Sequence, residues 1–173
     1  MNNITLRIAT TADASLIAEI SRETFYETFA EHNTKADMDK FLSEQFSKEQ
    51  LIEEVGVEGN TFLLACINDL PAGYIFLKEG SHKNLQHKKA VEISRLYSVT
   101  SFIGKGIGKA LMLAAIDHAK KSNFGLIWLG VWEHNLRAIQ FYHSFGFEKF
   151  GEHDFILGDD VQKDWLMRLE FKI

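Results

Sequence analysis

A mixed α/β fold, one sheet with helices on both faces, is the class the 173-residue sequence predicts. Two observations predict it. Apolar residues change period along the chain, from strand-like alternation or short unbroken runs to helical spacing and back. With the short third helix left aside, the order read this way is β-α-α-β-β-β-α-β-α-β-β. The second observation is a strand that runs through a glycine cluster straight into a helix, past the middle of the chain. There is no linker, repeat or low-complexity segment, so residues 1–173 are expected to form a single domain.

Leu6 and Ile8 alternate with polar neighbours as a first strand. Asp13 stands near the start of a helix whose Leu16, Ile17, Ile20 and Phe25 form one stripe. Thr34 caps a second helix through Phe41 and Leu42, and Ser47 with Gln50 makes a capping box for a short third one. Asn60 to Ile67 and Leu70 to Leu77 read as a hairpin across Asn68-Asp69, with Pro71 at the start of its second strand. Gly80 to Lys89 is polar and basic, a mobile loop. Glu92 to Val99 is the central strand, and the helix after the glycines runs to Ser122. Leu126 to Val131 is an unbroken apolar run and reads as a buried strand. Asn135 caps a helix from Leu136 to Phe145 that ends at Gly146. Strands near Phe147–Ile156 and Gln162–Phe171 close the chain.

Net charge is −5, which argues against a nucleic-acid partner, because such partners call for a basic stripe. The seven histidines show no paired metal spacing, His82 and His87 falling in the polar loop, so no metal site is expected. The single cysteine, Cys66, permits no internal disulfide and lies in an apolar run as a core residue. Met1 to Thr5 carry no signal-peptide pattern, and no apolar run approaches the ~20 residues that span a bilayer. A cytoplasmic protein without a membrane partner is the expectation.

The chemistry starts at Gly104-Lys105-Gly106-Ile107-Gly108-Lys109. Glycines at the mouth of a helix leave backbone N–H groups bare and let an anion approach them, and the helix dipole adds partial positive charge. This reads as a phosphate or pyrophosphate site, the alternative being a glycine-rich connection without a ligand. The nucleotide pattern G-x-x-x-x-G-K-[ST] fails in both registers: Gly108-Lys109 would need Gly at Ile103 and Ser or Thr at Ala110, and Gly104-Lys105 would need them at Val99 and Gly106. A dinucleotide fingerprint from Gly104 and Gly106 would need Gly or Ala at Lys109 and an early strand. On the helix after Asn135, residues Ala138, Phe141, Tyr142 and Phe145 lie three or four apart, where a tyrosine is ordinarily a core aromatic.

Together, the glycine turn and Asn135…Ala138-Ile139-x-Phe141-Tyr142-x3-Gly146-Phe147 resemble the GCN5-related N-acetyltransferases. Gly106 and Gly108 take the two small positions of that family's Q/R-x-x-G-x-G/A loop, and Ile103 stands where it has Gln or Arg. That departure removes one side-chain contact and leaves the backbone amides. Phe25-Tyr26-Glu27-Thr28-Phe29, Ile127-Trp128-Leu129-Gly130-Val131-Trp132-Glu133 and Gly158-Asp159-Asp160-x2-Lys163-Asp164 are similar to the PaiA-type bacterial spermidine/spermine N-acetyltransferases. Ser94 stands where that group has a second acidic residue on the central strand, and Glu92 keeps the first.

The resemblance implies a single, mostly antiparallel mixed sheet flanked by helices, with two central strands that splay to take acetyl-CoA. Pantetheine would then bond the backbone of Leu96, Tyr97 and Ser98, and the pyrophosphate the amides of Gly104, Lys105, Gly106, Ile107, Gly108 and Lys109. Asn135 would contact pantetheine or a linking water, and Tyr142 would protonate the leaving thiolate. An alkylammonium has a pKa near ~10 and must lose a proton before it attacks the thioester. Glu92, then Glu133, are the candidate bases acting through water, each with the plainer reading of a solvated carboxylate. Glu23, Glu27 and Glu31 at i, i+4 and i+8, with Tyr26 and its neighbours Phe25 and Phe29, would bind a polyamine. From spacing alone they make a solvated helix face. Acetylation of protein N-termini or lysines, and a non-catalytic acetyl-CoA-binding regulatory module, are the alternatives. A homodimer is common in the family.

Overall fold

The local patterns of the chain become elements largely where spacing and caps place them. The computed structural model describes residues 3–85 and 89–172, so His87 of the polar loop lies outside the described residues. Strand β1 (Ile4–Ile8) leads through a 3-10 turn to helix α1 (Ala14–Phe29). Helix α2 (Lys35–Glu44) starts at Thr34, whose side chain accepts from the Asp37 N–H (3.1 Å). Helix α3 (Lys48–Glu53) carries the full Ser47–Gln50 capping box.

Strands β2 (Asn60–Ile67) and β3 (Leu70–Glu79) form the expected hairpin. Asn68 (φ 49°) and Asp69 (φ 64°) both take the left-handed conformation that a two-residue hairpin turn requires. Pro71 sits beside the register shift at Ala65/Cys66, where a missing N–H is tolerated. Strand β4 (Ala90–Ser98), helix α4 (Ile107–Lys121), strand β5 (Leu126–Trp132), helix α5 (Leu136–Ser144), and strands β6 (Glu148–Leu157) and β7 (Asp160–Glu170) follow.

Among the described residues the seven strands form one sheet in the order β1-β2-β3-β4-β5-β7-β6. Only β4–β5 is parallel; every other neighbour pair is antiparallel. One face packs Ile75, Val91, Ile127 and Leu129 against Leu111, Met112 and Ala115 of α4. On the other face, Phe62, Leu64, Tyr74 and Phe76 meet Ala14, Ile17 and Ile20 of α1, and Phe25 packs with Met38 and Phe41 of α2. The first strand is an edge, so Leu6 and Ile8 stay exposed although their alternation is strand-like. Cys66 is half-buried against the α1 cluster, and burial pushes its thiol above the usual range. Among the described residues, no helix is long and apolar enough to cross a membrane.

The sheet divides in the middle. Strands β4 and β5 pair from Ala90–Leu126 to Ile93–Leu129, and the described ladder between them ends there. Ser94 is an extra residue in the β3–β4 register, which steps from Leu77–Ile93 to Phe76–Arg95. Past this bulge β4 stays with β3, while Gly130 to Trp132 stay with β7. A bulge bends its strand and adds twist, and here it turns the end of β4 away from β5.

Candidate active site

A cleft of about 770 Å³ opens where the two strands part. Its donor wall is the free side of β4: Leu96, Tyr97 and Ser98 pair with Ile75, Tyr74 and Gly73 of β3, and all three line the cleft. The chain then turns through Thr100–Phe102 to Gly104 (φ +82°) and Gly106 (φ +87°). Both glycines need the left-handed region, and a Cβ at Gly104 would meet nothing within 4 Å. Gly106 is the N-cap of α4, where no side chain caps. The first intrahelical bond runs from the Ala110 N–H to the Gly106 carbonyl (3.0 Å), so the amides of Ile107, Gly108 and Lys109 precede it. Open glycines, bare amides and the exposed Lys109 make a cradle that fits a pyrophosphate. Lys105 is exposed and its ammonium lies over the Phe102 ring (4.9 Å); it does not line the cleft.

Helix α5 supplies the facing side. Asn135 caps it by accepting from the Ala138 N–H (3.2 Å) and lines the cleft. Tyr142 lines it too, its ring against Phe141 (5.5 Å between centroids) and Phe147 (5.8 Å). Burial pushes the Tyr142 phenol up to about 12, so it stays protonated near neutrality.

The remaining wall is aromatic. Phe25 stacks on Phe41 (4.5 Å), Phe29 stands edge-on to Trp132 (5.7 Å), and Phe155 stands edge-on to Phe41 (5.6 Å). All five line the cleft, as does Phe46. Two carboxylates stand among these rings. Glu54 is ion-paired with the buried Arg95, whose guanidinium lies over Phe76 (4.8 Å) and Phe46 (5.4 Å). Asp164 faces His153 across β7–β6 (Oδ2 to Nε2 3.6 Å), and burial raises its carboxyl above the usual range. Apolar walls with a few converging polar groups suit a ligand with a methylene or ring body and a cationic end.

The structure does not bring every sequence-predicted residue into this cleft. Glu92 sits opposite Trp128 where β4 and β5 are still paired, below the point of divergence, and does not line it. Burial raises the Glu92 carboxyl. Glu133 lies in the turn after β5 beside His134 (3.6 Å) and is also outside the lining. Glu23, Tyr26, Glu27 and Glu31 are exposed and outside it as well, because Phe25 and its stripe take the inner face of α1; Glu27 instead binds the Thr100 hydroxyl. Phe25 and Phe29 do line the cleft. Sequence reading missed Glu54, Arg95 and Asp164, as well as the aromatics Phe41, Phe46, Trp132 and Phe155. Asp164 and Trp132 alone carried a signal, each as part of a motif. A second pocket of about 450 Å³, lined by Gln50, Glu53, Glu58 and Lys78 and sharing Glu54 with the cleft, holds none of the predicted residues.

The model of the acetyltransferase (GNAT) family matches residues 17–147. An uncharacterised N-acetyltransferase of Lactobacillus delbrueckii subsp. lactis is 39% identical over 150 residues, 86% of this chain and 87% of the relative. The spermidine N(1)-acetyltransferase of Thermoplasma acidophilum is 30% identical over 161 residues, 90% of this chain and 96% of that protein. The crystal structure of PaiA N-acetyltransferase from the same organism, in complex with coenzyme A, superposes with a TM-score of 0.76. It is 26% identical and covers 98% of this chain and 99% of its own.

Proposed function

The chain belongs to the acetyltransferase (GNAT) family as an acetyl-CoA-dependent N-acetyltransferase, and from that premise we propose that its acceptor is a primary amine of a polyamine such as spermidine. The observation that carries this reading is the divergence of β4 and β5. It joins an anion cradle at Gly104–Lys109 to an aromatic chamber that contains Glu54 and Asp164. The name of the Thermoplasma relative supports the same acceptor class.

In this reading the free edge of Leu96, Tyr97 and Ser98 holds pantetheine in the manner of an added strand, and the amides of Gly104 to Lys109 hold the pyrophosphate. Asn135 ends the donor site at the start of α5. Tyr142 gives its proton to the departing sulfur, which its raised pKa permits across neutral pH. The aromatic rings strip water from the acceptor and leave its methylenes in apolar contact, which favours the neutral, nucleophilic amine. The exposed carboxylates Glu23, Glu27 and Glu31 lie outside the chamber, where they can meet only the distal ammonium groups of a long acceptor.

Mass spectrometry of spermidine incubated with acetyl-CoA and the protein tests the reading. Monoacetylated spermidine is the expected product. Acetyl-CoA consumption with a lysine peptide and not with spermidine would replace the polyamine by a protein acceptor.

A further inference from the structure

We propose that Asp164 is the group that takes the proton from the acceptor amine, and that His153 passes that proton on to solvent. The inference rests on the amine-acetylation reading of the cleft and assigns a carboxylate that sequence spacing did not select.

Three observations of geometry carry it. Among the described carboxylates, two line the cleft, Glu54 and Asp164. Glu54 is committed to Arg95, whose guanidinium occupies its carboxylate in an ion pair. Asp164 is not committed in that way: its facing partner is a histidine, at 3.6 Å. The second observation is Gly130, whose absent side chain opens the corner between the cleft and this pair. A Cβ there would stand 3.4 Å from Asp164 Oδ2 and 3.6 Å from His153 Nε2. The third is the exit. The Asp164 side chain is only 16% exposed, whereas that of His153 is 41% exposed and so reaches water.

The surroundings agree with a proton path. Asp164 is faced by His153; His153 is faced by Asp164, by the His82 ring (6.3 Å between centroids) and by the field of Glu92. His82, next to Lys83, is held below the usual histidine range by burial. Burial also raises the Asp164 carboxyl, which brings its basicity closer to that of an ammonium and makes the transfer less uphill.

The protons balance. The acceptor arrives as an ammonium, and one N–H proton passes to Asp164 Oδ2. The freed lone pair on nitrogen forms the C–N bond as the thioester C–S bond breaks. Sulfur takes the Tyr142 proton, and the second proton lost by nitrogen restores that phenol. One proton per turnover remains, and it leaves through His153.

The test compares wild type, Asp164→Asn and His153→Ala with acetyl-CoA and the fastest amine of a panel of spermidine, spermine and simple diamines. Asp164→Asn should lose about 100-fold in kcat/KM at pH 7, with the thermal shift caused by acetyl-CoA unchanged. His153→Ala should lose about tenfold, and added imidazole should restore it, which a structural role would not allow. Turnover of Asp164→Asn within about twofold of wild type overturns the proposal while leaving the acetylation reading standing. A His153→Ala loss that imidazole does not restore overturns the relay. Wild-type silence on every amine of the panel overturns the polyamine reading of the cleft and this inference together.

Discussion

Glu54 and Arg95 are ion-paired on the inner wall of the cleft, and Arg95 is the one buried charged side chain among the described residues. The pair ties the segment after α3 to β4 just past the Ser94 bulge. It also neutralises a guanidinium whose faces lie against Phe46 and Phe76. Removing Glu54 leaves that charge buried without its partner. Because Glu54 itself is partly exposed, Glu54→Ala should cost roughly 2–3 kcal/mol, less than a fully buried pair would. Urea unfolding at pH 7 measures it, and an unchanged midpoint would show that Arg95 is satisfied without Glu54.

Tyr142→Phe removes one hydroxyl and keeps the ring contacts to Phe141 and Phe147. The expected result is kcat lower by about 10²-fold or more with acetyl-CoA affinity intact. The wild-type phenol is held up at about 12, so the wild-type profile of kcat should show no fall from tyrosine ionisation below about pH 11. A fall centred near 10 would contradict the burial of this group.

Gly106→Ala places a side chain on a residue at φ +87° at the mouth of α4. Left-handed backbone costs a non-glycine residue about 1–2 kcal/mol, and relief of that strain turns the Ile107–Lys109 amides off their direction. We expect a raised KM for acetyl-CoA and a lower Tm, with kcat at saturation changed little. Steady-state kinetics with varied acetyl-CoA separates the two.

Asp13 accepts from Arg7 (2.7 and 2.8 Å) and from the Thr10 N–H (2.8 Å). These bonds hold its carboxyl down at about 2. A depressed carboxylate contributes stability above its unfolded pKa of about 4 and loses it as pH falls through the folded value. Asp13→Asn should therefore cost about 1 kcal/mol at pH 7 and almost nothing near pH 2. Urea midpoints at the two pH values check it, and an equal gap at both would deny the ionic part of the interaction.

What was legible in the sequence is local. The Asn68-Asp69 turn, the Ser47–Gln50 box, the Asn135 cap and the glycines before α4 each depend on a few consecutive residues, and each forms as read. The parts assembled from distant segments were not legible. Phe25, Phe41, Phe46, Trp132 and Phe155 come from five parts of the chain, and no spacing rule joins them. The non-sequential order β5-β7-β6 sets Asp164 opposite Trp132, with His153 on its other side. Glu92 does lie on the central strand, but membership of the cleft depends on where the β4–β5 ladder ends, which is one residue after it. Glu23 and Glu27 share a side of α1 that the Phe25 stripe turns to solvent, whereas α1 ends at Phe29 and leaves Glu31 in the 3-10 turn that follows, off the expected i, i+4, i+8 row.

The central claim is acetyl transfer to a polyamine amine in the divided sheet. The most direct measurement is the initial rate of free CoA thiol release from acetyl-CoA, with spermidine and spermine set beside a lysine peptide and simple diamines. Saturable turnover on the polyamines, well above that on the peptide, is the predicted result. Turnover on the peptide alone, or none on any amine while acetyl-CoA still binds, would contradict it.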